Sequence, residues 1–208
     1  MVLFPCYPCC APCPADDSDG SGVYFETDMK SSSLEDPSRW ITRGVSFESS
    51  GLRYSAGYAA RCTFLDLTRD AEIEIQATVA AFGGVFSILL DATSLASSPT
   101  GGSGGRFITC AHYKFSSTKD VVYCYQQVSF PAELQIDTQG TTNITYAAKF
   151  RTISGAWTAS FDVNGSNMFS NVSCPNFSLP DRRFYHGIQG TNEEKLLTRY
   201  YMKLTYLT

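Results

Sequence analysis

The chain has 208 residues, of which 43% are hydrophobic, 13% aromatic and 17% charged, with a formal net charge of -4 at pH 7. That length suits one β-sandwich with an appendage, and the apolar fraction supplies a sizeable core. The sparse, negative charge argues against nucleic acid, which needs Lys and Arg to neutralise phosphates. No apolar run reaches the ~20 residues of a membrane-spanning helix.

In chain order, the first feature is Cys6-Tyr7-Pro8-Cys9-Cys10-Ala11-Pro12-Cys13, which holds half of the eight cysteines. Its prolines exclude a helix. The acidic Gly/Ser run from Asp16 to Gly22 has linker composition, so residues 1–20 are predicted to form a lead and 21–208 a domain. The tandem C-x-x-C pairs lack the spacer of about 15–20 residues that a four-cysteine zinc site uses. A thioredoxin-type motif needs a βαβ context that is absent. Disulfides fit better: within the lead, to Cys62 or Cys174, or between copies. Eight cysteines also suit an oxidising compartment. Met1-Val2-Leu3-Phe4 is too short for a secretory signal, and Pro5 and Cys6 interrupt where an apolar stretch of roughly 7–15 residues should run. The expectation is a removed signal or exit by lysis, with a location that is extracellular, at the cell surface or in a virion.

Beyond the linker, apolar and polar residues alternate with a period of two. The clearest strand is 71–79, with Ile73, Ile75, Ala77 and Val79 on one side and Glu72, Glu74, Gln76 and Thr78 on the other. Further strands are predicted at 24–28, 45–48, 52–55, 60–66, 85–90, 107–115, 121–128, 143–151, 157–163, 184–189 and 199–207, each bounded by turn residues. Residues 193–197 allow one helical turn at most. Short strands without intervening helices imply an all-β fold of two antiparallel sheets. The predicted core comprises Ile73, Ile75, Val79, Phe86, Ile88, Leu89, Phe150, Trp157, Phe161 and Leu204.

Three segments carry a family resemblance. Leu34-Glu35-Asp36-Pro37-Ser38-Arg39-Trp40, then Ser50-Gly51-Leu52, resembles the opening of concanavalin A-like jelly rolls. Ile144-Thr145-Tyr146-Ala147-Ala148-Lys149-Phe150, then the run from Gly155 to Gly165 ending in Val163-Asn164-Gly165, resembles the strand pair of laminin-G-like domains. Residues 184–189 and 200–207 resemble that family's last two strands. Over 23–208 the resemblance implies a two-sheet jelly-roll sandwich and no particular activity.

Glycoside hydrolysis needs two carboxylates about 5–9 Å apart, and Glu72 and Glu74 on one strand face would stand roughly 6.5–7 Å apart. Jelly-roll β-glucanases resemble this with Glu-x-Asp-x-x-Glu, but here Glu74 replaces the Asp and Ala77 the last Glu, so a solvated face is expected. A short loop at Ser116-Ser117-Thr118 pairs Cys110 with Cys124 and His112 with Val122. Cross-strand Cβ atoms lie about 4.5–5.5 Å apart, so Cys110 and Cys124 are candidates for a disulfide, while a zinc site with His112 would lack a fourth ligand. Tyr113, Phe115, Tyr123 and Tyr125 fall on the opposite face, assigned to the core. Trp40, Tyr58 and Tyr185 are candidate sugar-stacking residues. Asp91, Asp120 and Asp137 make no calcium-ligand run, and the Gly/Ser-rich loop 94–105 lacks the lysine of a phosphate-binding loop.

Together these features predict a non-catalytic structural subunit of an extracellular or virion assembly, joined to further copies through Cys6, Cys9, Cys10 and Cys13, with Cys62, Cys110, Cys124 and Cys174 as further disulfide candidates. The alternative is a lectin-like carbohydrate-binding module, and the third reading a glycoside hydrolase. The expected partners are further copies of the chain and, for the alternative, glycans. No cofactor, metal or nucleic acid is expected.

Overall fold

The computed structural model describes residues 24–32, 40–91, 107–126, 129–180, 182–191 and 193–208. The lead with Cys6, Cys9, Cys10 and Cys13, most of the 34–40 motif and the 94–105 loop lie outside the described residues. Those described form thirteen strands: β1 (Tyr24–Thr27), β2 (Ile41–Glu48), β3 (Gly51–Phe64), β4 (Ala71–Ala81), β5 (Val85–Asp91), β6 (Phe107–Lys114), β7 (Lys119–Gln126), β8 (Ser129–Asp137), β9 (Thr142–Ile153), β10 (Ala156–Val163), β11 (Ser166–Ser173), β12 (Arg183–Thr191) and β13 (Lys195–Tyr206).

All pairing is antiparallel, in the order β11-β10-β9-β4-β13-β3-β12-β5-β6-β7-β8, with β1 beside β13 and β2 beside β3. The path folds over where only Leu52–Tyr54 of β3 pair with Lys195–Leu197 of β13. A six-stranded layer (β11, β10, β9, β4, β13, β1) therefore faces a seven-stranded one (β2, β3, β12, β5, β6, β7, β8), giving a jelly-roll sandwich. Rings cross between the layers: Phe86 of β5 stacks on Tyr146 of β9 at 4.5 Å, and His186 of β12 on Tyr200 of β13 at 5.9 Å.

Alternation builds this core. Ile73, Ile75 and Val79 point inward from β4, Ile144, Tyr146, Ala148 and Phe150 from β9, and Phe86, Ile88 and Leu90 from β5. Of the predicted core, Leu89 is the exception. It is buried in a separate cluster with Tyr58, Ala60, Cys62 and Tyr185, on the outer surface of the seven-stranded layer. The hairpins β9–β10 and β10–β11 turn through Ser154-Gly155 and Asn164-Gly165, all four residues at positive φ, as tight two-residue turns require.

Several strands differ from expectation. The three short segments from 45 to 66 are parts of two long strands, β2 and β3. A bulge between Arg43 and Val45, with Gly44 at φ 66, interrupts their register. A Cβ at Gly44 would sit 2.3 Å from the Ala56 carbonyl oxygen. Leu52 and Tyr54 point inward before the bulge, Ala59 inward after it, so parity reverses and Tyr58, Ala60 and Cys62 turn outward. β8 and β11 were not predicted because their composition is atypical: Pro131 lies in β8 and Ser and Asn fill β11. Both are the terminal strands of the path, where a missing ladder donor and polar side chains are tolerated. Residues 193–197, which the sequence allowed one helical turn at most, instead lead into β13 from Lys195, whose buried ammonium donates to the Thr191 and Glu193 carbonyls at 2.9 and 2.7 Å.

Trp157 packs edge-on against Phe177 at 5.0 Å in the core, so Trp157→Ala should cost about 3–5 kcal/mol, read from denaturant midpoints. Acid should also weaken the fold. His186, enclosed by Thr63 and Tyr200, has its pKa lowered to about 3 by burial first and by Arg61 second. Below the ordinary histidine value the unfolded chain takes up a proton that the folded chain refuses, so its contribution is complete above that value and is lost as pH falls towards 3. The slope from this one group is about 1.4 kcal/mol per pH unit. Urea midpoints between neutral pH and pH 4 should fall less steeply for His186→Gln; equal slopes would contradict this account.

Candidate functional site

Side-chain parity decides which surface of the seven-stranded layer carries chemistry. Ile108, Cys110, His112, Val122 and Cys124 of β6 and β7 are all fully buried and point into the sandwich. Thr109, Tyr113, Tyr123 and Tyr125 therefore stand on the outer surface. This corrects the assignment of the aromatic set to the core, and Phe115, just past β6, is 60% exposed. The cause is a buried hydrogen-bonded cluster in which both histidine nitrogens and Asp120 Oδ2 are paired, while Asp120 Oδ1 has no hydrogen-bond partner among the described residues. His112 Nε2 donates to Asp120 Oδ2 at 2.9 Å, and its Nδ1 accepts from the Tyr146 hydroxyl at 2.8 Å. Asp120 also accepts from the Gln139 backbone N–H at 3.0 Å. Burial lowers the His112 pKa against the opposing pull of Asp120, so the ring is neutral. A histidine with both nitrogens used can be buried; a row of tyrosines would leave several hydroxyls to satisfy.

The hairpin register is the one the short loop implied, with Cys110 opposite Cys124 and His112 opposite Val122. The expected bridge is absent: Cys110, Cys124 and Cys174 are free and buried. Cys124 Sγ also lies 4.0 Å from Cys174 Sγ. Hydrogen bonding to Cys110 first, then burial, raises the Cys124 pKa; contact with Cys124 and burial raise that of Cys174. Thiols held protonated in a closed core are poor nucleophiles. Among the described residues no group of His, Cys, Asp and Glu is arranged to hold a metal ion.

Three lateral rows cross the outer surface of the seven-stranded layer. One runs Cys62, Tyr185, Asp91, Phe107; the next Ala60, Gly187, Leu89, Thr109, Tyr125; the third Tyr58, Gln189, Ser87, Ala111, Tyr123, Glu133. Aromatic rings thus flank a low middle. At its centre, a Cβ on Gly187 would come within 2.2 Å of the Ala59 carbonyl oxygen. Phe107 and Tyr125 rings lie 5.3 Å apart. The Tyr123 pKa is raised by burial first and by neighbouring Glu133, Tyr113 and Tyr125, so its hydroxyl stays a neutral donor. Polar groups on this surface are Asp91, Thr109, Ser87, Gln189 and Glu133.

Of the candidate sugar-stacking residues, the structure brings Tyr58 and Tyr185 together here. Trp40 instead lies in the core, its ring against Phe25 and Tyr200 at 5.9 and 5.6 Å. Phe107, Tyr123, Tyr125 and Asp91 were missed; the alternation of β7 was visible in the sequence, but not which side faced out. Cys62, at the end of the first row, is disulfide-bonded.

Glu72 and Glu74 lie on the outer surface of the other layer, and they are half-buried rather than exposed because β4 is flanked on both sides. Glu72 pairs with Arg151 at 3.1 Å. Glu74 faces Lys149 on one strand and Lys203 on the other and accepts from Gln76 at 2.8 Å. Asp137 pairs with Lys119 at the surface.

No protein-family model and no curated protein matches the sequence. Solved structures do match in fold. The lectin UEA-II, solved with galactose, covers 92% of this chain and 100% of its own at 10% identity and a TM-score of 0.54. The exoplasmic/lumenal domain of VIP36, in a Ca2+/Man3GlcNAc-bound form, covers 82% and 86% at 15% identity and a TM-score of 0.52. A Bacillus licheniformis β-glucanase covers 88% and 98% at 12% identity and a TM-score of 0.48. The fold is the concanavalin A-like jelly roll. The expectation that the chain is not an enzyme is corrected: β-glucanases stand beside lectins among its structural neighbours, so enzymatic status is open. The expected filament or virion subunit, and its homo-oligomer, find no support among them.

The thiol geometry has a direct check. Cys110, Cys124 and Cys174 should stay unreactive towards DTNB in the native protein and react together on unfolding. A native-state reaction at any of them would contradict the closed core.

Proposed function

We propose that the protein binds carbohydrate on the outer surface of the seven-stranded layer. The observation that carries this is the composition of the three rows. Rings of Tyr58, Tyr185, Phe107 and Tyr125 surround a flat centre of Ala60, Gly187 and Leu89, with Asp91, Thr109 and Gln189 among them. Small-molecule sites combine apolar and aromatic lining with a few orienting polar groups in this way. A pyranose ring offers an apolar C–H face that stacks on aromatic rings and hydroxyls that seek amide, carboxylate and hydroxyl partners. Tyrosine supplies both kinds of contact. The resemblance to lectins adds support through the fold. The Cys62 disulfide fits an oxidising compartment, in keeping with an extracellular or lumenal location.

Galactose, a branched mannose oligosaccharide and a mixed-linkage β-glucan should be titrated by calorimetry against the full chain and a form lacking residues 1–20. Binding of at least one is expected. Tyr125→Ala or Asp91→Asn should weaken it by about ten-fold or more, as loss of a stacking ring or a charged hydrogen bond does. Glu74→Gln, on the opposite layer, should leave it unchanged. Sugar release from the glucan, followed in the same samples, reports hydrolysis. Absence of binding in both forms would overturn the proposal.

A further inference from the structure

The asparagines of this chain are few and unevenly placed. There are six, all beyond residue 142, and four of them open an Asn-x-Ser/Thr triplet: Asn143-Ile144-Thr145, Asn164-Gly165-Ser166, Asn171-Val172-Ser173 and Asn176-Phe177-Ser178. Serine and threonine make up about a fifth of the chain, so random placement would put about one of six asparagines in such a triplet. Asn143, Asn164 and Asn171 stand at φ 54, 51 and 51. That left-handed backbone accounts for asparagine at those places, but not for the hydroxyl residue two positions on.

The structure separates the asparagines that hold the fold from those that do not. Asn167, outside any triplet, donates from Nδ2 to Asp162 Oδ1 at 2.8 Å and accepts on Oδ1 from the Ser170 hydroxyl at 2.9 Å. Asn164 also works within its hairpin: Oδ1 accepts from the Thr145 backbone N–H at 3.0 Å, and Nδ2 donates to Gln139 Oε1 at 3.5 Å. Asn143, Asn171 and Asn176 are exposed, and their side-chain amides have no hydrogen-bond partner among the described residues. Two of them are nonetheless fixed by their backbone. The Asn171 N–H donates to the Ser160 hydroxyl at 2.9 Å and the Asn176 N–H to Gln126 Oε1 at 3.1 Å. In each of these three triplets the middle residue, Ile144, Val172 or Phe177, packs on the core, while the asparagine and the hydroxyl residue beside it face water.

We propose that Asn143, Asn171 and Asn176 are acceptors for N-linked oligosaccharide. The donor is an oligosaccharide carried on a polyprenyl diphosphate. Asparagine Nδ2 bonds to the anomeric carbon of the first sugar. The bond from that carbon to the diphosphate oxygen breaks with its electron pair, and the amide gives up one proton; nothing is oxidised or reduced. The Cys62 disulfide fits the compartment in which this transfer takes place. Asn143 and Asn171 lie on β9 and β11 of the six-stranded layer, and Asn176 follows β11. The attached chains therefore leave free the surface assigned above to carbohydrate, and the inference does not depend on that assignment.

The full chain, directed through the endoplasmic reticulum of cultured animal cells, should carry three glycans. Peptide N-glycosidase should lower its mass in three steps and convert Asn143, Asn171 and Asn176 to aspartate, read by mass spectrometry of the peptides. Thr145→Ala, Ser173→Ala and Asn176→Gln should each remove one glycan. The first two delete the hydroxyl and leave the positive-φ asparagine in place. If a variant is not secreted, the peptide map of the unaltered chain decides alone. Bare asparagines at all three positions of the secreted chain, or a glycan on Asn164 alone, would overturn the proposal. No sugar ligand enters these measurements, so glycans at the three sites on a chain that binds neither galactose, mannose oligosaccharide nor glucan would support this inference and reject the carbohydrate-binding one.

Discussion

The inward orientation of His112 is the constraint on which the candidate site depends. In a hairpin the side-chain period is two, so fixing one residue fixes the face of all its neighbours. His112 is held by Tyr146 of the opposite layer on one nitrogen and by Asp120 of its own hairpin on the other. That places Cys110, Val122 and Cys124 inside and Thr109, Tyr123 and Tyr125 outside. Tyr146 is also the hub of the aromatic core, stacked on Phe86 at 4.5 Å and Phe161 at 6.0 Å. One buried hydrogen-bonded group thus joins the two layers and chooses the chemistry displayed outside. Such a cluster is costly unless satisfied.

A second device works at the other side of the same surface. The bulge at Gly44 reverses the parity of β3 halfway along its length. Without it the even-numbered residues that point inward at Leu52 and Tyr54 would continue inward at Tyr58, Ala60 and Cys62. The reversal lines up Tyr58 with Gln189, and Cys62 with Tyr185. The two outer surfaces of the sandwich consequently differ in kind. The six-stranded layer presents an ion-paired polar ladder, including Glu72–Arg151 and Glu26–Arg199, typical of a solvated face. The seven-stranded layer presents rings, small residues and a few polar groups, Asp91 and Glu133 among them.

The fold leaves function undivided, and function must be argued from the surface. The motif most suggestive of hydrolysis, Glu72-Ile73-Glu74, sits on the layer away from the aromatic rows. Its carboxylates lie among Arg151, Lys149 and Lys203, with nothing to set one apart as an acid and the other as a nucleophile.

Much of the fold was legible in the sequence, since alternation and turn residues act locally. The strand at 71–79 and the Cys110–Cys124 register follow from period-two patterning and loop length alone. The edge strands β8 and β11 were not legible: their Pro131 and Asn/Ser composition is unfavourable locally and becomes acceptable only at the end of a sheet. Of the site, the sequence named Tyr58 and Tyr185 but put Trp40 with them and Tyr123 and Tyr125 in the core. A period of two identifies two faces and is silent about which one is buried. Only the opposite layer, by offering Tyr146 to His112, and the bulge at Gly44, by turning Tyr58 and Cys62 outward, decided that. Both depend on contacts between residues far apart in the chain.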